Sequence, residues 1–282
     1  MLGSDVAEVF GSAGHEVKAC SRKALDITRK KNCIQTTEEF QPNIIINCAA
    51  YTKVDDCENN QETAFSINEK GAGNIAEAAE KCGAYLIHIS TDYVFDGTSS
   101  RPYQENDPTN PINIYGLSKL KGEEAVKSAC TRYSIVRTSW LFGINGPNFI
   151  KTILKLALEK NELMVVNDQQ GCPTFTKDLA KTLLIFAQQQ PTGLFHCTNS
   201  KSCTWYELAQ KALYFSGKNP DMVKPVPTSA FPRPAKRPAY SVLDNSKFVE
   251  MAGFKLRPWE ESVRDFCSFY SNSKVLTKKT AI

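Results

Sequence analysis

Tyr115 and Lys119 stand four residues apart in Tyr-Gly-Leu-Ser-Lys, a spacing that puts both on one face of a helix. Ser90-Thr91-Asp92 lies upstream, at the end of an apolar run. A phenol, an ammonium and a hydroxyl so arranged make a proton donor, a group to tune it and a group to orient substrate. Interconversion of a carbonyl and an alcohol with a nicotinamide cofactor needs that set. Tyrosine titrates near ~10, too high for efficient proton transfer at neutral pH. An ammonium one turn away favours the phenolate and should pull that value down. Tyr-x-x-x-Lys also arises by chance on exposed helices, so its surroundings decide its meaning.

Those surroundings are a strand running into a polar turn, Tyr85-Leu-Ile-His-Ile-Ser-Thr-Asp-Tyr-Val-Phe-Asp-Gly97. In open α/β sheets, ligands bind beyond the carboxyl ends of the strands. Thr91 and Asp92 fall at such an end, although they could equally serve turn hydrogen bonds. The stretch 96–111 leaves room for a loop over a substrate. Asn47-Cys48-Ala49-Ala50-Tyr51 ends a second apolar run, and its small residues suit either a flat cofactor or tight helix–sheet packing. Asn68 falls inside a helical pattern, a poor place for asparagine unless its side chain has a partner.

These residues need a scaffold. Strands are expected at 16–20, 44–48, 85–90 and 134–138, with helices at 5–13, 61–81 and 114–129 between them. Strands alternating with helices make an α/β fold, a doubly wound parallel sheet covered on both faces. After Gly143 the texture changes. Helices are expected at 149–160, 176–189 and 204–216, the last two with Thr176 and Thr204 near their starts. A short strand at 163–166 runs into the turn Asn167-Asp-Gln-Gln-Gly171. Five prolines within 225–238 predict an extended loop. The division expected is 1–142 for a dinucleotide-binding domain, 143–270 for a smaller mixed α/β substrate lobe, and 271–282 for a frayed tail.

Bulk properties exclude several classes. The chain has 282 residues, 41% hydrophobic and 23% charged, which suits a soluble globular protein. No run approaches the ~20 apolar residues of a membrane span, and the N-terminus lacks the features of a signal peptide. Net charge is +4, of which Lys274, Lys278 and Lys279 in the tail supply three, so no nucleic-acid footprint remains. Ten cysteines form no C-x-x-C pair and have no histidine cluster beside them. They read as free thiols in a reducing cytosol rather than a disulfide framework or zinc site.

The chain resembles the extended short-chain dehydrogenase/reductase superfamily and, within it, the dTDP-4-dehydrorhamnose reductases. The matching stretches are Asn47–Glu58, His88–Gly97, Tyr115–Lys119, Arg137–Gly143, Val166–Thr174 and Phe231–Pro238. The resemblance implies a Rossmann domain and NADPH-dependent reduction of the C4 keto group of dTDP-4-dehydro-L-rhamnose, for cell-surface polysaccharide. It implies Tyr115 as general acid, Thr91 on the C4 carbonyl, and Lys119 tuning Tyr115 and binding the cofactor ribose. Asp92 and Trp140 would contact the sugar nucleotide. Leu2, Gly3, Ala49, Ala50, Tyr51 and Ile89 would line the cofactor, and Asp26 and Ile27 would sit near the adenine. Lys236 and Arg237, on the proline-rich loop, are cations available to a diphosphate. Ser21-Arg22-Lys23 favours the 2′-phosphate of NADPH, with NADH as the alternative. A homodimer is an assembly the family admits, and no carboxylate cluster suggests a metal.

The family pattern opens with a strand and a G-x-x-G-x-x-G turn, whereas this sequence opens Met1-Leu2-Gly3-Ser4-Asp5. Gly3 matches the last glycine of that turn. The reading predicts either a native chain about a dozen residues longer or a truncated product that cannot fold or bind cofactor normally, and, without the missing strand, unpaired ladder groups on 16–20 and 85–90, at ~1–3 kcal/mol each. Two rival functions stay open. One is a nucleotide-sugar epimerase or dehydratase, disfavoured because Asp92-Tyr93 is not an Asp-Glu pair. The other is a non-catalytic NADP-binding subunit of the kind associated with methionine adenosyltransferase.

Overall fold

The computed structural model describes the backbone of residues 1–279 and side chains to Ser271. The chain opens on helix α1 (Leu2–Ser12), then α2 (Lys30–Phe40) and strand β1 (Ile44–Asn47). Helices α3 (Val54–Asn59), α4 (Gln61–Phe65) and α5 (Ala72–Cys82) follow, with a π-helical segment, Ser66–Gly71, joining the last two. Next come β2 (Tyr85–Thr91), α6 (Ile114–Ala129), β3 (Tyr133–Thr138), β4 (Leu141–Phe142) and α7 (Phe149–Leu156). The second half holds β5 (Leu163–Val166), β6 (Gln170–Gly171), β7 (Thr174–Phe175), α8 (Thr176–Gln189) and β8 (Gly193–His196). It closes with β9 (Cys203–Thr204), α9 (Trp205–Phe215), β10 (Val223–Val226), α10 (Ser246–Ala252) and α11 (Trp259–Lys279).

β1, β2, β3 and β8 form one parallel sheet in that order. Successive side chains of a strand point to opposite faces. Tyr85, Ile87 and Val136 therefore pack with α1 and α8, around Val6, Leu179, Leu183 and Phe186. Leu86 and Ile135 pack the other way, against Ala72, Ala76 and Ala79 of α5 and Val126 of α6. Small alanines on α5 let that helix lie close to the sheet. With both faces covered, the fold is α/β, parallel and Rossmann-like, as expected. A separate apolar cluster unites Phe142, Ile153, Leu163, Phe175, Leu208, Leu213 and Phe266. The chain does not stay in that lobe after residue 143, since α8 and β8 return to the main sheet.

Several expectations need correction. Residues 16–20 form no strand and are exposed. Within the described sheet no strand lies beside them to take up their ladder groups. β1 is an edge strand, whereas β2 is paired on both sides, so the unpaired ladder expected on 85–90 does not arise. The long helix at 61–82 carries the π-helical segment, and the helix from Phe149 stops at Leu156. Thr176 is the first residue of α8 and does not cap it. Thr204 does cap α9, in a reciprocal box with Glu207. Pro225 lies in β10, paired only with β5, where its missing N–H costs nothing. The tail expected at 271–282 is helical to Lys279, and the rest of that expectation lies outside the described residues. All ten cysteines are free. Among the described residues no helix is long and apolar enough to cross a membrane, and no three His, Cys, Asp or Glu side chains cluster as metal ligands.

Candidate active site

The parallel strands end along one edge, at Asn47, Thr91 and Thr138, and the residues of interest gather there. α6 is brought to that edge by its start. The Asn113 side chain caps it, accepting from the Gly116 N–H at 2.8 Å. Gly116 is required, because a Cβ there would lie 2.1 Å from the Tyr93 carbonyl oxygen. One helix face further on, a Cβ at Gly122 would lie 2.1 Å from the Asn68 carbonyl oxygen. Two glycines thus seat α6 directly on the turn after β2 and on the π-helical segment.

Tyr115 therefore meets the end of β2. Its ring is edge-on to Tyr93, with centroids 5.5 Å apart, and its phenol faces the Thr91 hydroxyl. Thr91 donates to Asp92 Oδ1 at 3.0 Å and accepts from the Tyr93 N–H at 3.2 Å. Burial pushes the Asp92 carboxyl up to about 6, with hydroxyls of Ser241 and Thr91 pulling back. Burial also pushes the Tyr115 phenol well up, and the Thr91 contact only partly offsets this.

Lys119 departs from expectation. Its side chain is buried and turned toward β2, where Nζ donates to the Ile89 carbonyl at 2.6 Å and meets His88 Nε2 at 3.2 Å. Burial holds the ammonium down at about 8. Lys119 does not act on the Tyr115 phenol here, so the expected lowering of that pKa is absent. His88 in turn contacts Asn47 at the end of β1, at 3.1 Å, and burial keeps it well below its ordinary pKa.

Asn68 has the job its position demanded. It accepts from the Tyr51 N–H at 2.7 Å and donates to the Tyr51 carbonyl and the Ser118 hydroxyl. The π-helical segment that carries it marks a functional site more often than chance. Ala49 is fixed by its own N–H on Asn47 Oδ1, at 3.1 Å. Ala49, Ala50, Tyr51 and Ile89 thus border the same edge as Tyr115 and Lys119. Leu2 is buried at the start of α1, and Gly3 lies against Cys48, 3.7 Å from an added Cβ. Asp26 caps a turn through Thr28, and the Ile27 carbonyl accepts from Asn74 of α5 at 2.8 Å.

Trp140 continues the edge beyond β3. Its φ of 48° is a strained value for a bulky residue. Its ring stacks on Trp205, centroids 3.5 Å apart, and covers Gly171. Trp205 was missed by sequence reasoning, as were Tyr93, His88 and the buried pair Glu123–Arg137. Tyr93 and His88 carried a signal, lying inside the His88–Gly97 stretch, and Arg137 opens the Arg137–Gly143 stretch. Of the two loop cations expected at the diphosphate, Arg237 comes beside Tyr93, but its guanidinium grips Asp55 in a two-point ion pair. Lys236 is exposed, and only its carbonyl is held, by Asn113.

The residues suit a dinucleotide unevenly. A nicotinamide end would be held by Lys119, small Ala49 and Ala50, and a Tyr51 backbone pinned by Asn68. An adenosine end would meet Asp26 and Ile27, with Arg22 and Lys23 exposed and forming no ion pair among the described residues. Between them the described residues offer the start of α1 and no glycine-rich cradle.

Known proteins match the sequence and fold of this chain closely. Residues 1–271 match the family described as the RmlD substrate binding domain. The spore coat polysaccharide biosynthesis protein SpsK of Bacillus subtilis is 41% identical over 266 residues, covering 94% of this chain and 93% of that one. A dTDP-4-dehydrorhamnose reductase of Streptomyces griseus is 39% identical over 94% of this chain and 89% of its own. A crystal structure of a dTDP-4-dehydrorhamnose reductase from Clostridium acetobutylicum superposes with a TM-score of 0.92, at 41% identity and 96% coverage of both chains. The Bacillus anthracis reductase in complex with NADP gives 0.91 at 40% identity, with 94% of each chain covered. The chain belongs to the RmlD family of dTDP-4-dehydrorhamnose reductase-like proteins, NAD(P)-dependent dTDP-sugar reductases of the extended short-chain dehydrogenase/reductase superfamily.

Proposed function

We propose that this chain reduces the C4 keto group of dTDP-4-dehydro-L-rhamnose to give dTDP-L-rhamnose, in the cytosol, with NADPH. The observation that carries the reading is the meeting of Thr91 and Tyr115 at the sheet edge, with Lys119 one turn along α6. NADPH, when bound, supplies the hydride. Tyr115 gives its proton to the C4 oxygen, and Thr91 orients the carbonyl by hydrogen bonding. A phenol whose pKa is raised by burial holds its proton throughout the neutral range, the state a reduction needs at its start. Lys119 binds the ribose beside it, and Arg22 and Lys23 take the 2′-phosphate, so NADPH is favoured over NADH.

Asp92 and the Trp140–Trp205 stack contact the sugar nucleotide. Arg237 reaches the diphosphate by exchanging Asp55 for it, and Lys236 adds charge from the same loop. Cofactor contacts come from residues before 143, and Trp205 and the proline-rich loop after it join Asp92 and Trp140 on the substrate.

The identity to SpsK favours one variation, a related dTDP-4-keto-6-deoxy sugar destined for a spore coat. NADPH absorbance followed on adding dTDP-4-dehydro-L-rhamnose, and then its 4-keto-6-deoxyglucose analogue, decides between the two. Turnover of neither, with NADPH bound, removes the reductase reading in favour of a regulatory subunit.

A further inference from the structure

We propose that His88 is a positioning residue, which with Asn47 presents an N–H to Lys119 and so disfavours its ammonium form while the site is free of ligand. The argument begins at Ala49. Its N–H donates to Asn47 Oδ1 at 3.1 Å, which fixes the amide, since the other orientation would set two donors face to face. Asn47 Nδ2 then points at His88 Nδ1, 3.1 Å away, and must donate to it. A neutral imidazole accepts at one nitrogen only, so the proton of His88 sits on Nε2. Nε2 lies 3.2 Å from Lys119 Nζ. An ammonium has no lone pair and would confront that N–H donor to donor. An amine accepts from Nε2 and still donates to the Ile89 carbonyl at 2.6 Å, with one hydrogen left for the site.

The surroundings agree. His88 is fully buried, in the strand that α6 covers. Facing Lys119 are His88 from β2, Cys48 from beyond β1 and, on α6 itself, Glu123 one turn on. The N-terminal ammonium acts on Cys48. Glu123, the one carboxylate near enough to retain a charge on Lys119, is bound by both ends of Arg137 and by Ser90. Lys119 thus gives up its proton more readily than a free lysine, and holds it more firmly once a ligand draws it away from His88.

The inference builds on the role of Lys119 proposed above, yet its test reads proton positions and is independent of turnover. The protein has three histidines, so the ring nitrogens are few enough to assign. Long-range proton–nitrogen correlation on the 15N-labelled protein, with His15→Gln and His196→Gln for assignment, should show His88 neutral as its Nε2–H form. An Nδ1–H form overturns the proposal. The lysine 15Nζ signal missing from Lys119→Met should titrate near 8 in the wild type. In His88→Leu, which has no donor, its midpoint should rise by about one unit. A fall or no shift overturns the proposal, because an imidazole that accepted from an ammonium would have been raising that midpoint. Should His88→Leu fail to fold, the tautomer in the wild type decides alone.

Discussion

Tyr115 and Lys119 share a helix face, yet their polar ends part: the phenol turns to Thr91, and the amine turns to the Ile89 carbonyl and His88. Four residues of spacing bring two side chains close but do not decide whom each bonds. In the ligand-free site, the phenol is governed by burial and Thr91 rather than by Lys119.

Replacing Lys119 by Met should therefore stabilise the protein while abolishing reduction. Burial lowers the folded-state pKa to about 8 from 10.5. Between those values the unfolded chain binds more protons, so wild-type stability rises with pH across that window and is penalised below it. Lys119→Met should gain about 1–2 kcal/mol at pH 7, after the lost hydrogen bonds, with the gain shrinking toward pH 10. Urea unfolding of both proteins at several pH values reads this, and a loss at pH 7 would contradict it.

Asp92 gives a slope of the opposite sign. Its folded pKa of about 6 exceeds the ordinary 3.8, because burial disfavours the charge. The folded state binds more protons between these values, so stability falls as pH rises through them. Asp92→Asn should be more stable than wild type by about 1–2 kcal/mol at pH 7.5, and indistinguishable near pH 4. Thermal melts across that range test both the sign and the window.

The ion pair of Glu123 and Arg137 is buried, with side chains at 0% and 2% exposure, and joins α6 to β3 under the site. Glu123→Leu alone leaves a buried guanidinium unpaired and should cost about 3–5 kcal/mol. The double variant with Arg137→Met should recover most of that loss. A double-mutant cycle showing additive effects would remove the pair from the account.

Gly171 is where the aromatic wall is most easily disturbed. A Cβ there would come within 2.5 Å of the Trp140 ring, which cannot retreat through its stack on Trp205. Gly171→Ala should raise KM for the nucleotide sugar about 10-fold with kcat little changed, the pattern of lost uniform binding. A fall in kcat alone would place the wall's contribution in the transition state instead.

Much of this was readable from residue order, for identifiable reasons. Ile44-Ile45-Ile46, half-buried at the sheet edge, and the buried run Tyr85–Thr91 are short and rich in apolar residues, and such runs announce parallel strands. The bounds of α6 were legible because Asn113 and Gly116 write its start. Residues 16–20 misled because their alternation suits a strand, while strand formation depends on a partner. α2 went unseen because only Cys33 and Thr37 of its eleven residues are buried, too few to set a helical period. At the site, residue types were legible and hydrogen-bond partners were not. Nothing in the order of residues couples Asp55 to Arg237 or Trp205 to Trp140, since tertiary packing brings them together.

The most direct test of the account is the rate of NADPH oxidation on adding dTDP-4-dehydro-L-rhamnose, compared between wild type and Tyr115→Phe. Removing the phenolic proton should lower turnover by about 100- to 10,000-fold while leaving NADPH binding intact. Turnover that survives in Tyr115→Phe, or a wild-type protein that binds NADPH and never oxidises it, would contradict Tyr115 as the acid of a working reductase.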